Sequence, residues 1–344
     1  MDHGAPRASI PKFSDADLSK AIIEIQEELF QYGITGVHEA GIDYQHISLF
    51  RNMVKNGSLK LDVYAMLRMS KENLNFAKKY GQFRYKNLSI QSFKVWADGA
   101  LGSRGACLLK HYADQKGWGG FLLSSKAHFD SIAAKLINTD FQMCTHAIGD
   151  SANRTILNVY AKYLKGKNDK RWRIEHAQIV HPDDFQYFGK YSIIPSVQPT
   201  HGTSDMYWAG DRLGEERMKG AYAYKQLLEQ NNWLPLGTDF PVEEINPFKT
   251  FLAAVVRKDA KGYPAEGFQM ENALTREETI RGMTIWAAKA GFLEKVIEED
   301  AYMKALKKEY EFFKNKYQLE SRERYHKEGN KCVRNTNTDQ KIIL

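Results

Sequence analysis

Residues 88–105 read LSIQSFKVWADGALGSRG, and the pattern within them decides the fold. Along Phe93-Lys94-Val95-Trp96-Ala97-Asp98 the side chains alternate. Phe93, Val95 and Ala97 share one face, suited to packing against helices, while Lys94, Trp96 and Asp98 point the other way. The run ends in a glycine-rich loop, which is how a strand hands over to the helical half of a βα unit. A lysine carried to the interior of a barrel must be paired, neutral or chemically modified.

The same rhythm extends in both directions. Upstream, Ser14 can cap a helix over 14–31 in which Leu18, Ile22, Ile25 and Leu29 recur at helical spacing. Gly33 closes that helix, and 34–37 reads as a short buried strand. A polar helix over 43–56, a strand over 59–67 and a helix over 70–80 lead to the 88–97 strand. Downstream, strands are expected at 141–147, 172–180, 191–197 and 234–238. Helices are expected at 125–138, 151–164, after Pro182, as one long element near 213–230, and at 246–258 and 275–290. Strands separated by helices in this way imply an α/β architecture with parallel pairing. Seven strands are one short of a (β/α)8 TIM barrel. From about Glu294 the character changes: 295–318 reads as a charged helix and 319–344 as a loosely ordered polar tail. The expected organisation is a barrel domain over 1–294 followed by that C-terminal extension.

Composition narrows the function classes. The 344 residues carry 49 Lys+Arg against 42 Asp+Glu, a net charge of +7, and 43% are hydrophobic. Basic and acidic residues are interleaved: residues 295–344 hold twelve of one kind and nine of the other, so no block reads as a nucleic-acid arm. No apolar run is long enough for a membrane span, and the N-terminus lacks a signal-peptide core. Cys107, Cys144 and Cys332 are too scattered for a disulfide framework or a zinc finger, so a cytoplasmic chain with no nucleic-acid or membrane partner is expected.

In a barrel the chemistry sits where strands end. Those positions hold Lys94 and Asp98, then His146, His176, Gln198 and His201, and finally Asp239. Histidines and an aspartate converging on one mouth form a site for a divalent metal, which would polarise a carbonyl and acidify bound water. Singly, each has a structural reading: a strand-end histidine more often packs or hydrogen-bonds, and Asp239 can cap a following segment. His38 also follows a strand, with weaker support. Gly99, Gly102 and Gly105 do not make the dinucleotide fingerprint, so a nicotinamide cofactor is excluded.

Taken together, the stretches FKVWADGALGSRGA (93–106), THAIGDSANR (145–154), RWRIEHAQ (171–178), PSVQPTHGTSDM (195–206) and GTDFPVE (237–243), with 272–290, resemble the YtcJ-like branch of the metal-dependent amidohydrolases. That group contains N-substituted formamide deformylases, and the similarity runs over about 5–294. The resemblance implies a (β/α)8 barrel joined to a small β-sandwich, and a hydrolase of C–N bonds in small amides. It implies a divalent metal cofactor, zinc by donor type, as one or two ions. His146, His176 and Asp239 match metal ligands, Asp239 also being the proton shuttle. Lys94 matches the position of a carboxylated, metal-bridging lysine. Asp98, Arg104 and His201 match substrate-pocket residues. The family's His-x-His pair at the end of strand one has no counterpart here. The expectation is therefore a barrel without its first strand or its sandwich. Activity would then depend on a complementing N-terminal polypeptide or an oligomeric partner, and the alternative is a catalytically inactive binding protein.

Overall fold

A computed structural model describes residues 13–295 and the backbone of 325–328 and 331–334. The first helix, α1 (Asp15–Gln31), begins at Ser14, whose hydroxyl accepts from the Asp17 N–H while the Asp17 carboxylate reaches back to the Ser14 N–H. The sequence marks Ser14 as the cap, and the return bond from Asp17 completes a capping box. Then follow β1 (Gly36–Ile42), α2 (Tyr44–Asn56), β2 (Asp62–Arg68), α3 (Lys71–Tyr80), β3 (Phe83–Tyr85) and β4 (Leu88–Trp96). Next come α4 (Lys126–Leu136), β5 (Gln142–Ala147), α5 (Asp150–Leu164), β6 (Arg173–His176), α6 (Phe185–Lys190) and β7 (Ile194–Ser196). The chain continues through α7 (Pro199–Asp205), α8 (Ala209–Leu213), α9 (Glu215–Met218), α10 (Tyr224–Asn231), α11 (Pro247–Val255), α12 (Arg276–Met283) and α13 (Ile285–Ala290).

The sheet runs β1-β2-β4-β5-β6-β7, every neighbouring pair parallel, with β3 attached antiparallel to β4. This is an incomplete parallel α/β barrel, as the alternation predicts. Phe93 and Val95 are buried on the helix side, where Phe93 meets Phe141 with ring centroids 5.2 Å apart. The inner face is polar: Tyr64, Ser92, Lys94, Gln142, Cys144, Arg173, Glu175 and Ser196 are all buried.

Several expected elements differ, each for a local reason. The first strand starts at Gly36 and runs on to Ile42, past the polar His38 and Glu39 that hide its strand character. Its register shifts between Glu39 and Ile42, where Gly41, at φ 138°, leaves room for the Trp96 ring. The strand expected over 172–180 stops at His176 because His176 and Ala177 both adopt positive φ. The seventh expected strand is a single parallel bridge, Val197 to Leu236, flanked by Pro235, which has no N–H, and Asp239 at φ 60°. The long helix near 213–230 is three short ones. Gly214 and Tyr222 take positive φ, and between the helices the chain runs beside 178–180, with Val180 N–H donating to Gly220 O. The helix expected over 275–290 breaks at Thr284.

The chain divides after Phe292. The charged helix expected at 295–318 lies, beyond Lys295, outside the described residues. Where a loosely ordered tail is expected, β8 (Tyr325–Glu328) and β9 (Lys331–Arg334) pair antiparallel. No helix among the described residues is long and apolar enough to cross a membrane.

The loop after β4 is locked beneath the start of α5. A Cβ added at Gly149 would stand 2.0 Å from the Cys107 carbonyl oxygen, a collision with backbone that neither segment can relieve cheaply. Gly149→Ala is expected to cost about 3 kcal/mol, seen as a lowered urea midpoint. An unchanged midpoint would show that the two loops are not in contact.

Candidate metal site

The site is built at the C-terminal ends of the strands. His146, the penultimate residue of β5, points inward; its Nε2 lies 3.6 Å from Asp98 Oδ1. The His146 and His176 rings meet edge to face with centroids 4.6 Å apart. By strict alternation His176 would follow the inward Glu175 to the outside. Its positive φ, 76°, breaks the alternation and returns it to the mouth. Backbone held in this region by a non-glycine residue is a recurrent feature of functional sites, and Asp239, at φ 60°, shows it too. His201 rides on the first turn of α7, stacked on His176 at 5.7 Å.

One nitrogen from each of His176 and His201 and an oxygen of Asp239 lie within 4.8 Å of one another. His201 Nε2 is 3.6 Å from Asp239 Oδ2. The tautomer of His176 follows from its neighbours. Gln198 donates through Nε2 to Ser196 O, so its Oε1, 2.8 Å from His176 Nδ1, must accept from that ring. Nδ1 therefore carries the proton and Nε2 keeps its lone pair, the arrangement a second-layer amide gives to a metal-ligating histidine. The buried Nε2 atoms of His146 and His201 have no hydrogen-bond partner. Such orphans are costly unless something fills them.

Electrostatics agree. Burial pushes the imidazole of His146 down to about 3, with the nearby Lys94 charge adding to the effect. Burial alone takes His201 down to about 4, and burial with neighbouring positive charge holds His176 well below its ordinary value. All three are neutral donors at neutral pH. Burial raises Asp239 to about 6, against the pull of Lys94.

The remaining sequence-predicted residues are placed as follows. Lys94 is buried, with its Nζ 5.6 Å from the Trp96 ring; desolvation lowers its pKa and Glu175 opposes that. Asp98 is buried and committed to backbone: Oδ1 accepts from Ile148 N–H and Oδ2 from Cys107 and Gly149 N–H. It fastens the loops after β4 and β5 together, although burial raises its pKa to about 7. Arg104 is engaged with Asp114 at 2.9 Å in the loop after β4, and its carbonyl accepts from the Trp118 indole. His201 is the addition to the metal-competent set. Its signal was the Gln198-x-x-His201 spacing, which a helix beginning at Pro199 carries to the mouth. His38 is instead tied to Arg173, its Nδ1 2.9 Å from the guanidinium.

A strand-end cluster of neutral imidazoles and a carboxylate in a parallel α/β barrel is a donor set suited to a divalent metal. The chain belongs to the amidohydrolase family, whose model matches residues 3–302. It is 31% identical over 259 residues to Protein LONG AFTER FAR-RED 3 of Arabidopsis thaliana, covering 73% of this chain and 43% of that one. It is 25% identical over 292 residues to the Bacillus subtilis protein YtcJ, named as an amidohydrolase, covering 83% and 55%. A crystal structure of an uncharacterized metal-dependent hydrolase from Pyrococcus furiosus superposes with a TM-score of 0.71 at 28% identity, covering 82% of this chain and 57% of that one. The chain thus spans about half the length of the relatives it matches.

The depressed imidazoles have a consequence in acid. His146 titrates near 6.5 when unfolded and about 3 when folded, so the unfolded chain holds the extra proton between those values. The stability its neutral form confers is present above pH 6.5 and is lost as pH falls toward 3. In chelator-treated protein, His146→Asn should lose stability less steeply than the native chain from pH 6.5 to 4.5. The gap between them should shrink by roughly 1.4 kcal/mol per pH unit. Urea titrations at three pH values test this, and parallel slopes would refute it.

Proposed function

We propose that this chain is the barrel portion of a metal-dependent hydrolase acting on C–N bonds of small amides. The observation that carries the reading is the convergence of His176, His201 and Asp239 to within 4.8 Å of one another, with orphaned imidazole nitrogens beside them. Two nitrogens and a carboxylate oxygen, all with free lone pairs, suit a divalent ion such as zinc. His146, His176, His201 and Asp239 would hold it, and Lys94 stands beneath as a buried amine. A bound ion supplies Lewis acidity, polarising a carbonyl and lowering the pKa of water.

The protein's own groups do the rest. Asp239 is positioned and tuned to carry a proton: its Oδ2 faces the mouth, and burial brings its pKa to about 6, so it exchanges protons readily near neutrality. It accepts the proton of the attacking water and returns it to the departing nitrogen. His176, held by Gln198, and His201, held on α7, keep the donor geometry fixed. Asp98 joins the two loops that frame His146.

A second reading, a binding protein without turnover, draws on the state of β1. That strand is the most exposed of the parallel set, and among the described residues β2 is its one strand partner. Barrel closure, and any ligands a further strand brings, would then come from another polypeptide or a second copy.

The two readings separate in one experiment. Purified chain should carry a stoichiometric divalent metal by elemental analysis and hydrolyse N-formyl or N-acyl amines. Asp239→Asn should lower kcat by at least about 10²-fold, and His201→Asn should release metal. Metal without turnover selects the binding protein; neither metal nor turnover sinks the hydrolase proposal.

A further inference from the structure

A groove of about 800 Å³ opens on the helix side of the barrel, between α3 and α4. It shares β4 with the candidate metal site but lies on the opposite face of the strand, where Phe93 points outward and Lys94 inward. Its floor is apolar, made by Leu74, Phe93, Ile132, Leu136 and Phe141. Its rim is basic. Lys71 and Lys78 stand on the α3 wall, seven residues apart; His128 and Lys135 stand on the α4 wall at the same spacing, and all four are exposed. Asp140 is the one acidic residue on the lining.

Lysines often occupy helix ends to meet the negative pole of the backbone dipole, and Lys78 and Lys135 lie in last turns. Lys71 does not fit that account, because it lies in the first turn of α3, where the dipole disfavours positive charge. Among the described residues no carboxylate pairs with any of the three lysines. Their common feature is the groove they border.

The charge layout selects the occupant. Seven helical residues span roughly 10 Å, so Lys71 and Lys78 lie about that far apart on one wall, while Lys135 faces them from the other with the His128 imidazole a similar distance along it. A single anionic head group can meet one end of this arrangement. An elongated occupant with an apolar stripe and acids along both flanks meets all of it. We propose that the α3–α4 groove docks an acidic amphipathic helix of a partner protein, apolar stripe on the floor and carboxylates against the two basic walls.

A synthetic helical peptide of about 16 residues, with leucines at i, i+3, i+4 and i+7 and glutamates on both flanks, is the probe. Fluorescence anisotropy against the full chain should show saturable binding that weakens as salt rises. Lys78→Glu/Lys135→Glu should weaken it about tenfold. Ser131→Trp, which fills the groove without changing charge, should abolish it. All three substitutions are at exposed positions, and circular dichroism checks the fold of both variants. Equal affinity for a scrambled peptide of the same composition, or unchanged binding by either variant, overturns the proposal. So does binding of decanoate in place of the peptide, which would make the groove a site for a small amphiphile.

Discussion

The barrel interior carries charges that survive burial only by mutual pairing, and much of the architecture depends on that pairing. Arg173 and Glu175, two residues apart on β6, lie 2.8 Å apart at Nε and Oε1, both nearly inaccessible. An unpaired ion at such a depth would cost several kcal/mol. Arg173 also reaches Ser196 on β7 at 3.2 Å and His38 on β1 at 2.9 Å. One side chain thereby links strands on opposite sides of the barrel. Replacing either partner alone would strand the other, so the pair constrains register as well as energy. Glu175 is also the main influence favouring the charged form of buried Lys94.

That interior in turn sets the character of the mouth. Lys94 lies just below the histidines and, with desolvation, works against their protonation. The result is a group of imidazoles kept neutral with unshared lone pairs, held by Gln198, α7 and the edge-to-face ring contact. A site of this kind needs no proton release from histidine when a cation binds, only the loss of a proton from Asp239 below about pH 6. The positive φ angles at His176 and Asp239 belong to the same design. Each turns a side chain off the regular alternation and toward the common centre.

The sequence made most of this scaffold legible because its signals are local. The Ser14 cap, the helical spacing of Leu18, Ile22, Ile25 and Leu29, and the alternation through Phe93–Asp98 each depend on neighbouring residues, and each appears in the structure. His146, His176 and Asp239 could be named because strand ends in a barrel share one mouth. What escaped was long-range. Nothing near His201 says that its Nε2 stops 3.6 Å from Asp239. Nothing near Asp98 says that its oxygens are taken by the N–H groups of Cys107, Ile148 and Gly149. The fragmentation of the 213–230 helix follows from hydrogen bonds to residues 178–180, some forty positions earlier. β1 runs past its expected end because His38 faces an interior that is itself polar and Glu39 lies exposed beside it, so neither reads as a core strand residue.

The origin of the converging donors separates metal affinity from barrel closure. His176, His201 and Asp239 come from β6, α7 and the segment after the Leu236 bridge, which are consecutive around the barrel. The β1 side contributes His38, but that ring is engaged by Arg173 and packed beside Gly291. The donors that assemble therefore do so without help from the open edge of the sheet. An added strand against β1 would act elsewhere. It would cover an exposed edge, which sheet proteins rarely leave bare, and enclose the mouth against solvent. Excluding water strengthens the field of every charge around a bound substrate. In the proposed hydrolase, the donors for an ion are thus residues already in the described fold, while the enclosure that turnover would need depends on how β1 is covered.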